Sequence, residues 1–151
     1  METTCRIGGL VKIKVSEINL DIGFFSSTEK NGDVRYFFDK NLIQDLKWFI
    51  LRKGLSNNDW LFPSPLNQKK SISTENIRKN VIHKYTKINP HDIRRSILRI
   101  FEQKGALQSD LFLISNHKPN MNAVYTMVDA WNEEEKAQER YQLVYNRAFY
   151  Q

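Results

Sequence analysis

Asn89-Pro90-His91-Asp92-Ile93-Arg94-Arg95-Ser96 is the stretch on which the reading of this chain turns. Asparagine is a favoured helix N-cap, and proline suits the first helical position, where its missing N–H costs nothing. A helix is therefore expected to start at Pro90. His91 and Arg94 then stand at i and i+3, on one face of its first turn. That end of a helix carries free N–H groups and partial positive charge, which favour an anion such as phosphate. A proton-transfer group, a fixed cation and a helix start together read as a phosphoryl-transfer corner. The plainer reading of the same residues is a capped surface helix with a solvated histidine and arginine.

The rest of the composition narrows the choice. At 151 residues the chain has the size of one domain, enough to bury roughly two-thirds of its unfolded surface. Its 40% hydrophobic and 26% charged residues are ordinary for a globular protein. The formal net charge of +6 favours a polyanionic partner, most simply nucleic acid. A single cysteine, Cys5, excludes a disulfide framework and a cysteine-based zinc site, and points to a reducing compartment. His83, His91 and His117 lack metal-ligand spacing, so no metal and no cofactor are expected. The first residues are not a signal peptide, and no apolar run approaches a membrane span.

Residues 18–38 read as β structure. Ile18, Leu20 and Ile22 alternate, Phe24-Phe25 follows, and Val34 to Phe38 is rich in strand formers. Glu29-Lys30-Asn31-Gly32-Asp33 is a turn containing the strong hairpin dipeptide Asn-Gly, which puts Lys30 at an exposed hairpin tip. Everything else reads as helix. Ile7 to Ile13 suggests a turn or two. Leu42, Leu46, Phe49 and Ile50 define an amphipathic helix over about 40–53, ended by Gly54. Asn57 to Gln68 is a loop. Ser73 caps a second helix with a core stripe of Ile77, Val81 and Tyr85. A third runs from Pro90 to about Lys104, burying Ile93, Ile97 and Ile100. A fourth holds Leu107, Leu111 and Ile114. A fifth opens at Pro119-Asn120, with Val124, Met127, Val128 and Trp131 on its packing face and Tyr125 about 100° away. The last, from Asn132 to about Tyr150, carries Tyr141, Val144 and Tyr145 along one stripe. The fold class expected is a mainly α domain with a small antiparallel β-sheet near its N-terminus.

The ordered set Arg6, Lys30, His91-x-x-Arg94, His117, Tyr125 resembles the catalytic domain of tyrosine recombinases, the phage-integrase family. Thr4-Cys5-Arg6 is similar to the turn before that family's first arginine, and Lys14-Val15-Ser16-Glu17-Ile18 to the motif that follows it. Lys30 matches the family's hairpin lysine. Leu61-Phe62-Pro63 resembles its leucine-phenylalanine-proline loop. Pro90 to Ser96 is close to its proline-histidine-x-x-arginine-histidine-serine. Leu113-Ile114-Ser115-Asn116-His117 resembles its leucine-leucine-glycine-histidine, Val124-Tyr125-Thr126 its nucleophile motif, and Trp131-Asn132-Glu133-Glu134 the C-terminal helix of some phage integrases. Three positions depart from the pattern. Gly9 stands where the family has an acidic residue, Asn116 replaces a glycine, and the His117-to-Tyr125 interval is one residue shorter than is commonest.

The resemblance implies metal-free, site-specific DNA recombination (integration or excision) by strand cleavage and rejoining through a 3′-phosphotyrosyl intermediate. It gives catalytic roles to Arg6, Lys30, His91, Arg94, His117 and Tyr125. Those groups suit the chemistry. Arg6 and Arg94 offer planar forks to the two non-bridging phosphate oxygens. Tyr125 offers a phenolic nucleophile, and covalent attack conserves the phosphodiester energy for religation. Lys30 suits protonation of the departing 5′ oxygen, with Lys12 and Lys14 as substitutes. His91 suits either a general base or a holder of the tyrosyl oxygen, and His117 a hydrogen bond to the phosphate. Arg95 and Arg99 read equally as DNA-backbone contacts or solvated charges.

The implied partners are double-stranded DNA and other recombinase protomers in a tetrameric synapse, with no membrane. The implied location is the cytoplasm of a prokaryotic host, at the nucleoid. Residues 1–151 read as a single catalytic domain without the N-terminal DNA-binding domain that completes the family's clamp. Residues 131–151 form a C-terminal helix that docks either on a neighbouring protomer or in cis. Two other readings use the same residues: a non-catalytic DNA-binding remnant, favoured by Gly9 and the short nucleophile spacing, and DNA relaxation of the type IB topoisomerase kind.

Overall fold

The structure is a computed structural model that describes residues 4–29, 32–115 and 134–150. Its N-terminal part is built on a three-stranded antiparallel sheet in the order β1-β2-β3: β1 Ile18–Asn19, β2 Phe24–Glu29 and β3 Gly32–Phe37. Period-2 alternation puts Phe25 and Tyr36 directly opposite each other on one face, where both are buried and their rings stack at 5.2 Å. The turn into β2 is closed by Asn19, whose Oδ1 accepts from the Asp21 and Ile22 N–H groups at 3.1 and 2.9 Å. Gly23 follows with φ +101°, which favours glycine, and a Cβ there would also crowd the Gln138 amide at 3.1 Å. Glu29 pairs with Gly32. Lys30 and Asn31, between them in sequence, lie outside the described residues.

Ile7–Leu10 forms the short helix α1. Helix α2 spans Lys40–Lys53 and stops at Gly54 in the left-handed conformation, φ +62°, as its sequence pattern predicts. Its stripe of Leu42, Ile43, Leu46, Phe49 and Ile50 packs on Ile13, Phe25, Tyr36, Phe38 and Leu61, forming the first core. Leu61 and Phe62 of the expected loop thus belong to this core.

The second core is all helical. Helix α4 (Pro90–Gln103) meets α5 (Gln108–Ser115) and the C-terminal α6 (Glu134–Phe149) around Phe101, which is fully buried. Phe101 lies 6.4 Å from both the Tyr141 and Tyr145 rings and 5.6 Å from Phe149. Asp39 joins the two cores. It is buried at the end of the sheet, accepts from Gln142 Nε2 at 2.6 Å and from Asn41 Nδ2 at 2.9 Å, and so holds α6 to the start of α2. Gln138 donates to the Phe38 carbonyl at 2.9 Å beside it. The fold is mainly α with a small antiparallel sheet near the N-terminus, as expected. No helix among the described residues is long and apolar enough to cross a membrane.

Two expectations about packing faces are corrected. Ser73 caps α3 (Thr74–Ile77) through Asn76 N–H at 3.1 Å, but the helix then widens into a π-helical turn over Arg78–His83. The wider turn makes Ile77 and Ile82, five apart, the buried pair, and leaves Val81 and Tyr85 exposed. Leu107 is also exposed. It stands just ahead of α5, where its N–H donates to Asp110 Oδ2 at 3.1 Å, and takes no place on the packing face. The expected fifth helix, with His117, Tyr125 and Trp131, lies outside the described residues.

Candidate active site

Three of the six residues singled out from the sequence are described, and they converge. Arg6, His91 and Arg94 line one cavity of about 290 Å³, together with Cys5, Ile7, Asn89, Pro90 and Arg78. Arg6 arrives from the N-terminal turn, and His91 and Arg94 arrive together on α4. Arg6 is the N-cap residue of α1, extended at φ −67° and ψ 143°, and its carbonyl accepts from Gly9 and Leu10 N–H at 2.9 and 3.0 Å. The chain just before it is anchored, because Cys5 is buried and Thr4 Oγ1 donates to the Ile114 carbonyl on α5.

His91 sits in the first turn of α4. Asn89 caps that helix as predicted, its Oδ1 accepting from His91 N–H at 3.0 Å, and Pro90 follows the cap directly. The cavity therefore opens on the positive end of a 14-residue helix.

Arg94, one turn on, is not the solvated arginine of the plain reading, since it is only 5% exposed. Its Nη2 donates to the Ser115 carbonyl at the end of α5. Burying an arginine is costly unless it is hydrogen-bonded, and this bond also fixes the direction of the fork. Ser115 stands two residues before His117 in the chain.

Arg78 has no counterpart in the sequence reading. It projects from the start of the π-helical turn, and Glu75 holds it through Nε–Oε2 at 3.1 Å and Nη2–Oε1 at 2.9 Å. Hydrogen bonds from Arg78 first and Lys79 second draw the Glu75 carboxyl from its ordinary range down to about 2, and the same pairing pushes Arg78 up. In sequence this looks like an ordinary i, i+3 surface pair, and only the tertiary arrangement brings it to the cavity.

The lysine substitutes are placed elsewhere. Lys14 lies over the Trp60 ring at 5.3 Å from its centroid, and Lys12 is exposed; neither lines the cavity. Arg95 approaches Asp92 at 3.9 Å on the exposed side of α4. No group of three or more His, Cys, Asp or Glu side chains among the described residues is placed to hold a metal ion. Lys30, His117 and Tyr125 lie outside the described residues.

Three arginines and a histidine thus line one cavity at a helix N-terminus. Those residue types, at that end of a helix, suit an anion such as a phosphate group. No family model and no curated protein sequence matches the chain. Among solved structures it is similar to the XerA recombinase, with a TM-score of 0.66 and 20% identity over 87% of this chain. The match covers 55% of the recombinase chain, so this chain spans about half of that protein's length. The likeness is one of fold.

Proposed function

We propose that this chain cleaves and rejoins DNA strands through a 3′-phosphotyrosyl intermediate, in site-specific recombination. The observation that carries this reading is that Arg6, from near the start of the chain, lines one cavity with His91 and Arg94 of α4. These are three members of the ordered set that resembles the tyrosine recombinases. The recombinase-like fold supports it independently of those residues.

The chemistry follows from the groups. The Tyr125 oxygen attacks the phosphorus, a new P–O bond forms, and the bond to the 5′ oxygen breaks. The leaving oxygen keeps the electron pair and takes a proton from Lys30. Arg6 and Arg94 grip the non-bridging oxygens while charge builds on them, and the buried setting of Arg94 makes its fork a preorganised one. His91 takes the phenolic proton or holds the tyrosyl oxygen, and His117 adds a hydrogen bond to the phosphate. A free 5′-hydroxyl from a second strand reverses the steps and rejoins the backbone. No metal enters this route. Double-stranded DNA and further copies of the chain, assembled as a tetrameric synapse, are its partners.

The test is covalent capture. The chain is incubated in EDTA with a pool of nicked duplexes randomised around the nick, so that a short product diffuses away and religation is blocked. A protein–DNA adduct that survives denaturation is expected. DNA binding with no adduct would support the non-catalytic remnant instead.

A further inference from the structure

The structure adds a cation that the ordered set does not contain. Arg78 lines the same cavity as Arg6, His91 and Arg94. Its side chain is 46% exposed, so solvent and a ligand can reach it. Glu75 takes two of the five N–H donors of the guanidinium and fixes its plane. The same carboxylate also meets Lys79 at 3.1 Å, so one negative charge faces two positive ones and the cluster stays cationic.

The segment beyond Arg78 extends that charge. From Arg78 to Lys87 the chain has four lysines and arginines and no acidic residue. All but Ile82 of these ten positions are exposed, because the π-helical turn spends its buried positions on Ile77 and Ile82. Tyr85 is 75% exposed, and the Lys84 ammonium lies 5.6 Å from its ring centroid. An exposed basic segment with an exposed aromatic ring, beginning at the cavity, fits a continuous polyanion.

We infer that Arg78 grips a DNA backbone phosphate flanking the scissile one, where the cavity meets the basic segment 78–87. This rests on the reading of the cavity as a DNA phosphate site. Arg78 is a binding residue in this account, and its charge, not its pairing with Glu75, makes the contact.

The experiment is equilibrium binding of the whole chain to a 30-base-pair duplex over a range of salt. Each phosphate contact releases about one counterion, so Arg78→Ala should lower the slope of log affinity against log salt by about one. Arg52→Ala on α2 makes the same charge change away from the cavity and should leave the slope as it is. Glu75→Gln breaks the ion pair but keeps the cation, and should also keep the slope. An unchanged slope for Arg78→Ala would overturn the inference. So would a Glu75→Gln protein that reproduces the Arg78→Ala loss, since the ion pair would then be structural. Strand cleavage is not needed for any of these readouts. A chain that shows the Arg78 slope yet forms no adduct contradicts the proposed function and leaves this contact standing.

Discussion

Arg94 on α4 donates to the backbone oxygen of Ser115 at the end of α5, across 21 positions of sequence. The bond gives one residue two duties. It ties α4 to the end of α5, and it holds in place a buried cation whose residue lines the cavity that Arg6 and His91 share.

The two arginines should therefore fail differently. Arg94→Ala leaves the Ser115 carbonyl without this donor and should cost about 1–3 kcal/mol of stability in urea unfolding. Arg6 is exposed, and Arg6→Ala should stay within about 0.5 kcal/mol of the parent. Both should lose about 10²–10³-fold in adduct formation, the usual loss when one charge-stabilising donor is removed. Equal stability of the two variants would contradict the buried role of Arg94.

The π-helical turn makes a prediction that an ordinary helix would reverse. Ile82 is buried and Val81 is not, so Ile82→Ala should cost about 2–5 kcal/mol and Val81→Ala less than about 0.5. Thermal or urea denaturation of the two variants decides it. A larger loss at Val81 would restore the regular i, i+4 stripe.

Glu75 should titrate far below an ordinary glutamate. Its folded pKa of about 2 is depressed by hydrogen bonds from Arg78 and Lys79. A depressed carboxyl contributes stability above its unfolded value and loses it as pH falls toward the folded one. The Arg78–Glu75 pair should therefore be intact at neutral pH and open only in acid, between about pH 4.5 and 2. A carboxyl-carbon NMR titration should show this, and Arg78→Ala should move the midpoint upward. A midpoint near 4.5 in the parent would mean that the pair does not form in solution.

How much of this was legible beforehand depends on where the information sits. The capped start at Asn89-Pro90, the α2 stripe ending at Gly54 and the Phe24–Phe37 hairpin strands are local patterns, and each appears where the sequence puts it. Arg6 and the His91–Arg94 pair were readable because their order and spacing resemble a known family. The burial of Ile82 in place of Val81 was not, because an extra residue per turn leaves no mark in an apolar stripe. Arg78 was invisible for a different reason: a Glu-x-x-Arg pair looks the same on any surface helix, and only the approach of α4 and the N-terminal turn gives it a site. Leu107 misled because a leucine at helical spacing says nothing about whether the helix has yet begun.

A change of leaving group tests Lys30 as the acid. A 5′-bridging phosphorothiolate leaves as a thiolate and needs no proton. Lys30→Ala should cleave the normal phosphodiester about 10²–10⁴-fold more slowly and recover most of its rate on the phosphorothiolate. Arg94→Ala should not recover, since its work is on the non-bridging oxygens. Equal defects of Lys30→Ala on both substrates would make Lys30 a binding residue and turn attention to Lys12 or Lys14.

The proposed function stands or falls on Tyr125 as the attacking group. The most direct measurement is proteolytic mapping of the denaturation-resistant adduct from the nicked pool, in parent and Tyr125→Phe. The account predicts a nucleotide-bearing peptide containing Tyr125 in the parent, and no adduct in Tyr125→Phe, whose salt-dependent DNA binding stays as in the parent. An adduct that persists in Tyr125→Phe, or that maps to another residue, would contradict it.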